Sequence, residues 1–121
     1  MKILCVCTAN LQRSVTLEAM LNATPDYEAR SAGTCPPADR TRITEEALRW
    51  ADRIIVFEAE HVRQIKRKHW TLFPRLRIVN LEIEDEFQAF DEALMALLQE
   101  KCRARLGIEL GRPMSEEGRT R

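Results

Sequence analysis

Cysteine and arginine stand at a spacing that suits chemistry on a phosphate group. Five residues separate Cys7 from Arg13, and Ser14 follows directly. A thiolate is a strong nucleophile, and the planar guanidinium of an arginine can hold two oxygens of a tetrahedral anion at once. A serine hydroxyl can donate a hydrogen bond to the sulfur and ease its departure in a second step. These residue types predict attack by the Cys7 sulfur on a bound phosphate ester.

The residues around this pair predict a turn between a strand and a helix. An apolar run, residues 3–6, has strand length, and a helical pattern begins at about Arg13. In such a turn, backbone N–H groups can point inward at the start of the helix, where they bind an oxyanion and favour the thiolate. Asn10 suits a left-handed backbone position in the middle. We expect six further residues to bind the anion: Thr8, Ala9, Asn10, Leu11, Gln12 and Ser14.

This stretch resembles the phosphate-binding loop of the low-molecular-weight protein tyrosine phosphatases, whose pattern is V-C-x-G-N-x-x-R-S after an amino-terminal strand. The matching residues are Val6, Cys7, Asn10, Arg13 and Ser14. Two positions depart from the pattern. Ala9 replaces the usual glycine, and Gln12 stands where many members carry a second cysteine that protects the nucleophile as a disulfide. The resemblance implies a phosphocysteine intermediate and, in this chain, a nucleophile without that protection.

The resemblance also implies supporting and acid residues further along the chain. The sequence ARSAGT, residues 29–34, recurs in the family, where the serine supports the loop asparagine, so Ser31 is assigned to Asn10. A strand end with a solvated serine is the alternative. The family carries an Asp-Pro-aromatic segment after its fourth strand. At that place Asp85 is the expected general acid and Phe87 an aromatic wall of the pocket, with Glu86 at the proline position.

A second aspartate competes for the acid role. Asp91 stands directly before a helical pattern, so we interpret it as an N-cap and prefer Asp85 as the acid. The family histidine that supports the loop is not recognisable near Arg40. The basic run at residues 61–69 is interpreted as a solvated helix face, and no metal role is assigned to its histidines. Cys35 is expected to be a partly buried bystander, and Cys102 to belong to the core.

Strand patterns alternate with helical patterns along the whole chain. Strands are predicted at residues 2–7, 27–34, 52–57 and 76–81, and helices at 13–21, 44–50, 58–68 and 92–106. Such alternation predicts an α/β fold with a parallel sheet, helices on both faces and a site at the carboxyl ends of the strands. The resemblance specifies a three-layer sandwich with strand order 2-1-3-4.

Length and composition set the remaining expectations. The 121 residues suit one domain, placed at 1–110, with a frayed tail at 111–121. Nineteen basic and nineteen acidic residues cancel, which argues against nucleic acid as the main partner. No apolar run approaches membrane-spanning length and no signal peptide is apparent, so a cytoplasmic protein without a membrane partner is expected.

The predicted function is hydrolysis of phosphomonoesters. The expected substrate is a phosphorylated protein or a small aryl phosphate, and inorganic phosphate or sulfate is expected to bind the same site. No cofactor or metal is expected, because the loop and Arg13 neutralise the developing charge. Two alternatives remain open. Arsenate reductase uses the same loop with relay cysteines, for which only Cys35 is available. A phosphate-binding module with little turnover is suggested by Ala9, Glu86 and the few pocket aromatics.

Overall fold

The computed structural model describes residues 1–113. The first strand, β1 (Lys2–Cys7), is buried from its second residue onward, as expected of a strand with apolar side chains on both faces. A short loop joins it to helix α1 (Arg13–Asn22). The remaining elements are β2 (Glu28–Gly33), α2 (Glu45–Trp50), β3 (Arg53–Val56), α3 (Ala59–Lys68), a 3₁₀ turn (Phe73–Arg75), β4 (Ile78–Asn80) and α4 (Glu92–Leu106).

The four strands form one parallel sheet in the order β2-β1-β3-β4, as predicted. Strand β1 lies between β2 and β3, with Cys7 opposite Gly33 and Val6 opposite Val56. The carboxyl ends of the strands therefore meet at one edge, where the loop that follows Cys7 begins.

Two hydrophobic clusters cover the two faces of the sheet. Side chains of β1 alternate between them, with Cys5 and Cys7 in the first cluster and Leu4 and Val6 in the second. The first cluster also contains residues of α1 and α4, and the second contains residues of α2 and α3. The result is a three-layer α/β sandwich, which confirms the predicted fold class.

Both ends of α4 carry residues suited to helix termini. The Asp91 carboxylate accepts a hydrogen bond from the Ala93 N–H at 2.8 Å, and Gly107 follows the last turn with a φ of 67°. Asp91 is therefore an N-cap, as the sequence indicates. Cys102 is fully buried on this helix, and burial raises the pKa of its thiol to about 12.

One boundary differs from the prediction, because strand β4 is shorter than residues 76–81. The parallel pairing with the end of β3 nevertheless continues, since the Leu81 N–H donates to Val56 O and the Ile83 N–H donates to Phe57 O. Near the end of the described chain, the Gly111 N–H donates to the Thr24 hydroxyl and Arg112 pairs with Glu92. Most of the predicted tail, residues 114–121, lies outside the described residues. Within residues 1–113 no helix is long and apolar enough to cross a bilayer.

Candidate active site

Cys7 ends β1 with a nearly buried thiol, 3% exposed, at the entrance to the loop formed by residues 7–14. Its sulfur lies 2.9 Å from Ser14 Oγ. The Asn10 side-chain amide donates to the same oxygen at 3.0 Å, so the Ser14 proton is available to the sulfur. Thr41 N–H donates to Asn10 Oδ1 at 3.3 Å and completes a chain of donors that ends at Cys7.

Asn10 adopts the left-handed conformation predicted for it, with a φ of 58°. Asparagine tolerates this region better than most residues, so the turn is closed without glycine. Ala9 is not among the residues with positive φ, and an alanine at the family's glycine position is therefore compatible with the loop.

Loop carbonyl groups are held by donors from the surrounding elements. The pairs are Thr34 N–H with Cys7 O, Cys35 N–H with Thr8 O, Arg40 Nε with Asn10 O, each at 2.9 Å, and Thr16 N–H with Gln12 O at 3.0 Å. A trans peptide unit points its C=O and N–H in opposite directions, and no peptide bond of the described chain is cis. The N–H that follows each of these carbonyls therefore points away from the donor, to the inner side of the turn.

These inward N–H groups are available to a ligand. Among the described residues, no backbone N–H of residues 8–12 donates to a protein acceptor. Helix α1 begins without a side-chain cap or an acidic residue in its first turn. The loop and the helix terminus together therefore present unfilled donors and a partial positive charge, which suit an oxyanion.

Arg13 is 1% exposed and reaches across the edge of the sheet to the ends of β3 and β4. Its Nη1 donates to Glu58 Oε2 at 2.6 Å and to the Ile83 carbonyl at 2.7 Å, and its guanidinium lies 5.7 Å from the centre of the Phe57 ring. Its Nε has no hydrogen-bond partner among the described residues. One edge of the guanidinium is thus fixed by protein groups, and the Nε edge carries a donor that no described residue uses.

Asp85 lies beside that free edge. Its carboxylate is half-exposed and its Oδ1 is 3.8 Å from Arg13 Nε. The segment that carries it is anchored at both ends, since Ile83 is buried next to β3 and the Phe90 N–H donates to Thr16 Oγ1 at 3.1 Å. These anchors hold the segment although Glu86 replaces the family proline. Phe87 is partly buried against the first hydrophobic cluster.

His61 supports the loop from α3, a role that the sequence analysis did not find. Its Nδ1 accepts a hydrogen bond from the Phe57 N–H at 3.2 Å, so Nε2 carries the proton and donates to Thr8 Oγ1 at 3.0 Å. Burial, and secondly the charge of Arg13, lower the pKa of His61 to about 4. The ring is 1% exposed, so the prediction of a solvated helix face is wrong at this residue.

Ser31 does not support Asn10. Its hydroxyl donates to Glu18 Oε1 on α1 at 2.9 Å, because the middle of β2 faces that helix and not the loop. The support assigned to Ser31 comes from Thr41 N–H and from Arg40 instead. Cys35 is exposed, contrary to the expectation of partial burial.

Glu58 and Arg40 are the other site residues that the sequence analysis missed. Glu58 follows the last residues of a buried parallel strand, where a carboxylate lies at the active edge of the sheet, and this position is a signal that could have found it. Arg40 offers no comparable signal, since its contact with Asn10 depends on how the chain folds back after β2.

No protein-family model matches the sequence, and no curated protein matches it. Several solved structures are similar to this chain. The tyrosine phosphatase Wzb from Escherichia coli K30, in complex with phosphate, matches with 25% identity and a TM-score of 0.63, over 85% of this chain and 91% of that chain. The low-molecular-weight protein tyrosine phosphatase from T. tengcongensis matches with 23% identity and a TM-score of 0.67, over 84% and 92%.

The YwlE arginine phosphatase from Geobacillus stearothermophilus is also similar, with 22% identity and a TM-score of 0.63, over 83% of this chain and 84% of that chain. These matches confirm, at the level of the fold, the resemblance that the sequence indicates.

Proposed function

We propose that this chain, which has the fold of the low-molecular-weight protein tyrosine phosphatases, is a phosphomonoester hydrolase that works through a phosphocysteine intermediate. The single observation that carries the proposal is the 7–14 loop, where a buried thiol lies at the start of a turn whose carbonyls are held outward and whose N–H groups are unused. Such a turn binds a tetrahedral anion next to a nucleophile.

The first step transfers the phosphoryl group to sulfur. Loop amides and the free edge of Arg13 bind the phosphate oxygens and neutralise the charge that develops on them. The Cys7 thiolate attacks phosphorus, an S–P bond forms, and the P–O bond to the leaving group breaks. The leaving oxygen takes the electron pair and receives a proton from Asp85, which lies beside Arg13.

The second step restores the enzyme. Water attacks phosphorus while the Asp85 carboxylate accepts its proton, and the S–P bond breaks with the electron pair returning to sulfur. The Ser14 hydroxyl, 2.9 Å from that sulfur, stabilises the departing thiolate. Aryl phosphates are the preferred substrate class, because a phenolate leaves more easily than an alkoxide.

The test is hydrolysis of 4-nitrophenyl phosphate at mildly acidic pH. We expect turnover by the unmodified protein and by Cys35→Ser, whose thiol is exposed, and none by Cys7→Ser. Rapid quenching followed by mass spectrometry is expected to find one phosphoryl group on Cys7. Activity that survives Cys7→Ser contradicts the mechanism, and stoichiometric phosphate binding without hydrolysis favours the binding-module alternative.

Arsenate reduction has weaker support from the structure. Cys5 and Cys102 are buried in the core, and burial raises the pKa of both thiols, so neither is suited to relay a disulfide. Cys35 is the one exposed thiol among residues 1–113. Thiol-dependent arsenate reduction that is lost in Cys35→Ala would establish this activity.

A further inference from the structure

The Asn10 carbonyl in the 7–14 loop differs from the other fixed carbonyls in the kind of group that holds it. The Cys7, Thr8 and Gln12 carbonyls each accept from a backbone N–H, which a substitution does not remove. The donor to the Asn10 carbonyl is the side chain of Arg40, whose Nε lies 2.9 Å from the oxygen. The orientation of the peptide unit that follows Asn10 therefore depends on a group that one substitution can delete.

Arg40 belongs to a segment that runs beside the end of β2. The Thr41 carbonyl accepts from the Gly33 N–H at 2.8 Å, and the Ile43 N–H donates to the Gly33 carbonyl at 3.1 Å. A turn precedes this segment, with the Arg40 N–H donating to the Pro37 carbonyl at 3.0 Å. The half-buried side chain of Arg40 therefore extends from a backbone that is fixed on both sides.

The same segment also holds the side chain of Asn10. The Thr41 N–H donates to Asn10 Oδ1 at 3.3 Å, and the Asn10 amide donates to Ser14 Oγ, which lies 2.9 Å from the Cys7 sulfur. Asn10 has a φ of 58°, in a small region of backbone conformation. One bond to its carbonyl and another to its side chain thus fix the turn and the donors that lead to the sulfur.

Fixing the Asn10 carbonyl also directs the next N–H. Because the peptide unit is trans, the Leu11 N–H points away from Arg40 and toward the inner side of the loop. A flip of this peptide unit would place a carbonyl oxygen there, and that oxygen would repel an anion. A hydrogen bond from a cationic guanidinium also polarises the peptide unit, which makes the Leu11 N–H a stronger donor.

We propose that Arg40 is a positioning residue, which keeps the Leu11 N–H directed at an anion bound in the 7–14 loop. It acts through Asn10 and supports that residue in place of Ser31. Its effect on turnover rests on the proposed function, whereas its effect on anion binding rests on the contacts alone. Loss of the donor should therefore weaken binding more than loss of the charge.

Two neutral variants separate the hydrogen bond from the charge. Arg40→Gln keeps an N–H donor at the place of Nε, since both nitrogens follow three side-chain carbons, and Arg40→Met has a similar length without a donor. Inorganic phosphate is the probe, followed at the Leu11 amide in ¹H–¹⁵N spectra of the full chain at pH 7 and constant ionic strength. We expect Arg40→Met to bind phosphate roughly three- to tenfold more weakly than Arg40→Gln.

Arg42→Met is the matched control for the loss of one cation. Arg42 is exposed on the same segment and forms no ion pair within residues 1–113, so this variant should bind phosphate as the unsubstituted chain does. Under the proposed function, KM for 4-nitrophenyl phosphate should rise in Arg40→Met with little change in kcat. The reason is that the Leu11 N–H binds the phosphate group in the substrate and in the transition state alike.

The unsubstituted chain offers a measurement that needs no variant. Its Arg40 Nε–H resonance is expected to move with phosphate over the same concentrations as the Leu11 N–H, and circular dichroism checks that each variant is folded. Equal phosphate binding by Arg40→Met and Arg40→Gln, or an Nε–H resonance that phosphate leaves in place, overturns the proposal. Failure of the proposed function is seen separately, as absence of hydrolysis that depends on Cys7.

Discussion

At the scale of single residues, Arg13 has one edge of its guanidinium bound by protein groups and an Nε donor that no described residue uses. Nη1 is fixed by Glu58 and the Ile83 carbonyl, while Nε has no hydrogen-bond partner in the described part of the chain. A buried arginine without these contacts would populate several rotamers, and its guanidinium would no longer be held in one orientation. The contacts of this one side chain therefore link the ends of β3 and β4 to the loop that follows β1.

Removing the carboxylate that orients Arg13 should reduce catalysis. In Glu58→Ala, Nη1 loses its ionic partner, and we expect kcat/KM for an aryl phosphate to fall roughly ten- to a hundredfold. Glu60→Ala is the matched control, because that carboxylate pairs with Arg63 on the exposed face of α3. Steady-state kinetics of the two variants measure the difference, and equal rates would show that Glu58 has no positioning role.

The identity of the general acid can be tested with one pair of variants. Asp85→Asn keeps the shape of the side chain but cannot donate a proton, so kcat should fall roughly a hundredfold or more with phenyl phosphate. The loss should be smaller with 4-nitrophenyl phosphate, whose leaving group needs less protonation. Asp91→Asn preserves the α4 cap and should keep the rate, and the reverse pattern would assign the acid to Asp91.

At the scale of elements, β2 and α3 hold the 7–14 loop from two sides. Gly33 ends β2 against the loop, and a Cβ at this residue would lie 2.5 Å from the Thr8 carbonyl oxygen and 3.1 Å from the Asn10 nitrogen. His61 holds Thr8 from α3. The loop is thus shaped by packing from outside as well as by its own sequence.

Gly33→Ala should therefore damage the loop more than the fold. A methyl group at this residue must displace loop backbone, so we expect activity to be lost under conditions where circular dichroism still shows a folded chain. Gly107→Ala is the control. A Cβ added at Gly107 has no atom within 4 Å, but its positive φ costs an alanine about 1 kcal/mol. It should lower Tm and keep kcat, and a fully active Gly33→Ala would contradict this account.

His61 should make the stability of the fold depend on pH. Its pKa falls from 6.5 in the unfolded chain to about 4 in the fold, so the unfolded state binds more protons below pH 6.5. Stability is retained above pH 6.5 and is lost as the pH falls through 4, by about 3 kcal/mol in total. Urea denaturation of wild type and His61→Gln at pH 7.5 and 4.5 measures this difference.

The glutamine variant should lack that part of the pH dependence, and His69→Gln should keep it. If wild type and His61→Gln lose stability in parallel, the imidazole is not neutral in the fold.

The sequence predicts what is local and periodic. The thiol, the arginine and the left-handed asparagine lie within eight residues, between a strand pattern and a helical pattern, so the local sequence indicates their turn. Alternating strand and helix patterns indicate the sheet. Contacts between side chains that are distant in sequence are harder to predict from the sequence. His61 lies in a basic run, and only its placement on the inner side of α3 buries it. The prediction that Ser31 supports Asn10 is wrong, because the register of β2 decides which neighbour this side chain meets.

At the scale of the whole molecule, binding of an anion should stabilise the fold. An anion bound by the loop and Arg13 should bind the folded chain and not the unfolded one. The loop is held by residues after β2, and Arg13 by residues after β3 and β4, so the site exists only in the fold. Phosphate at a hundred times its Kd should add about 2.7 kcal/mol to the free energy of unfolding and raise Tm by several degrees. Arg13→Lys should reduce that shift, and a thermal melt in chloride at equal ionic strength is the control.

The contacts of Arg13 also bear on how the protein becomes active during synthesis. Because synthesis runs from the amino terminus, Arg13 emerges 45 residues before the Glu58 carboxylate and 70 residues before the Ile83 carbonyl. A nascent chain therefore holds Cys7 and Arg13 before the groups that anchor the guanidinium exist. Under the proposed function, a ribosome-bound chain that ends before Ile83 should not hydrolyse an aryl phosphate.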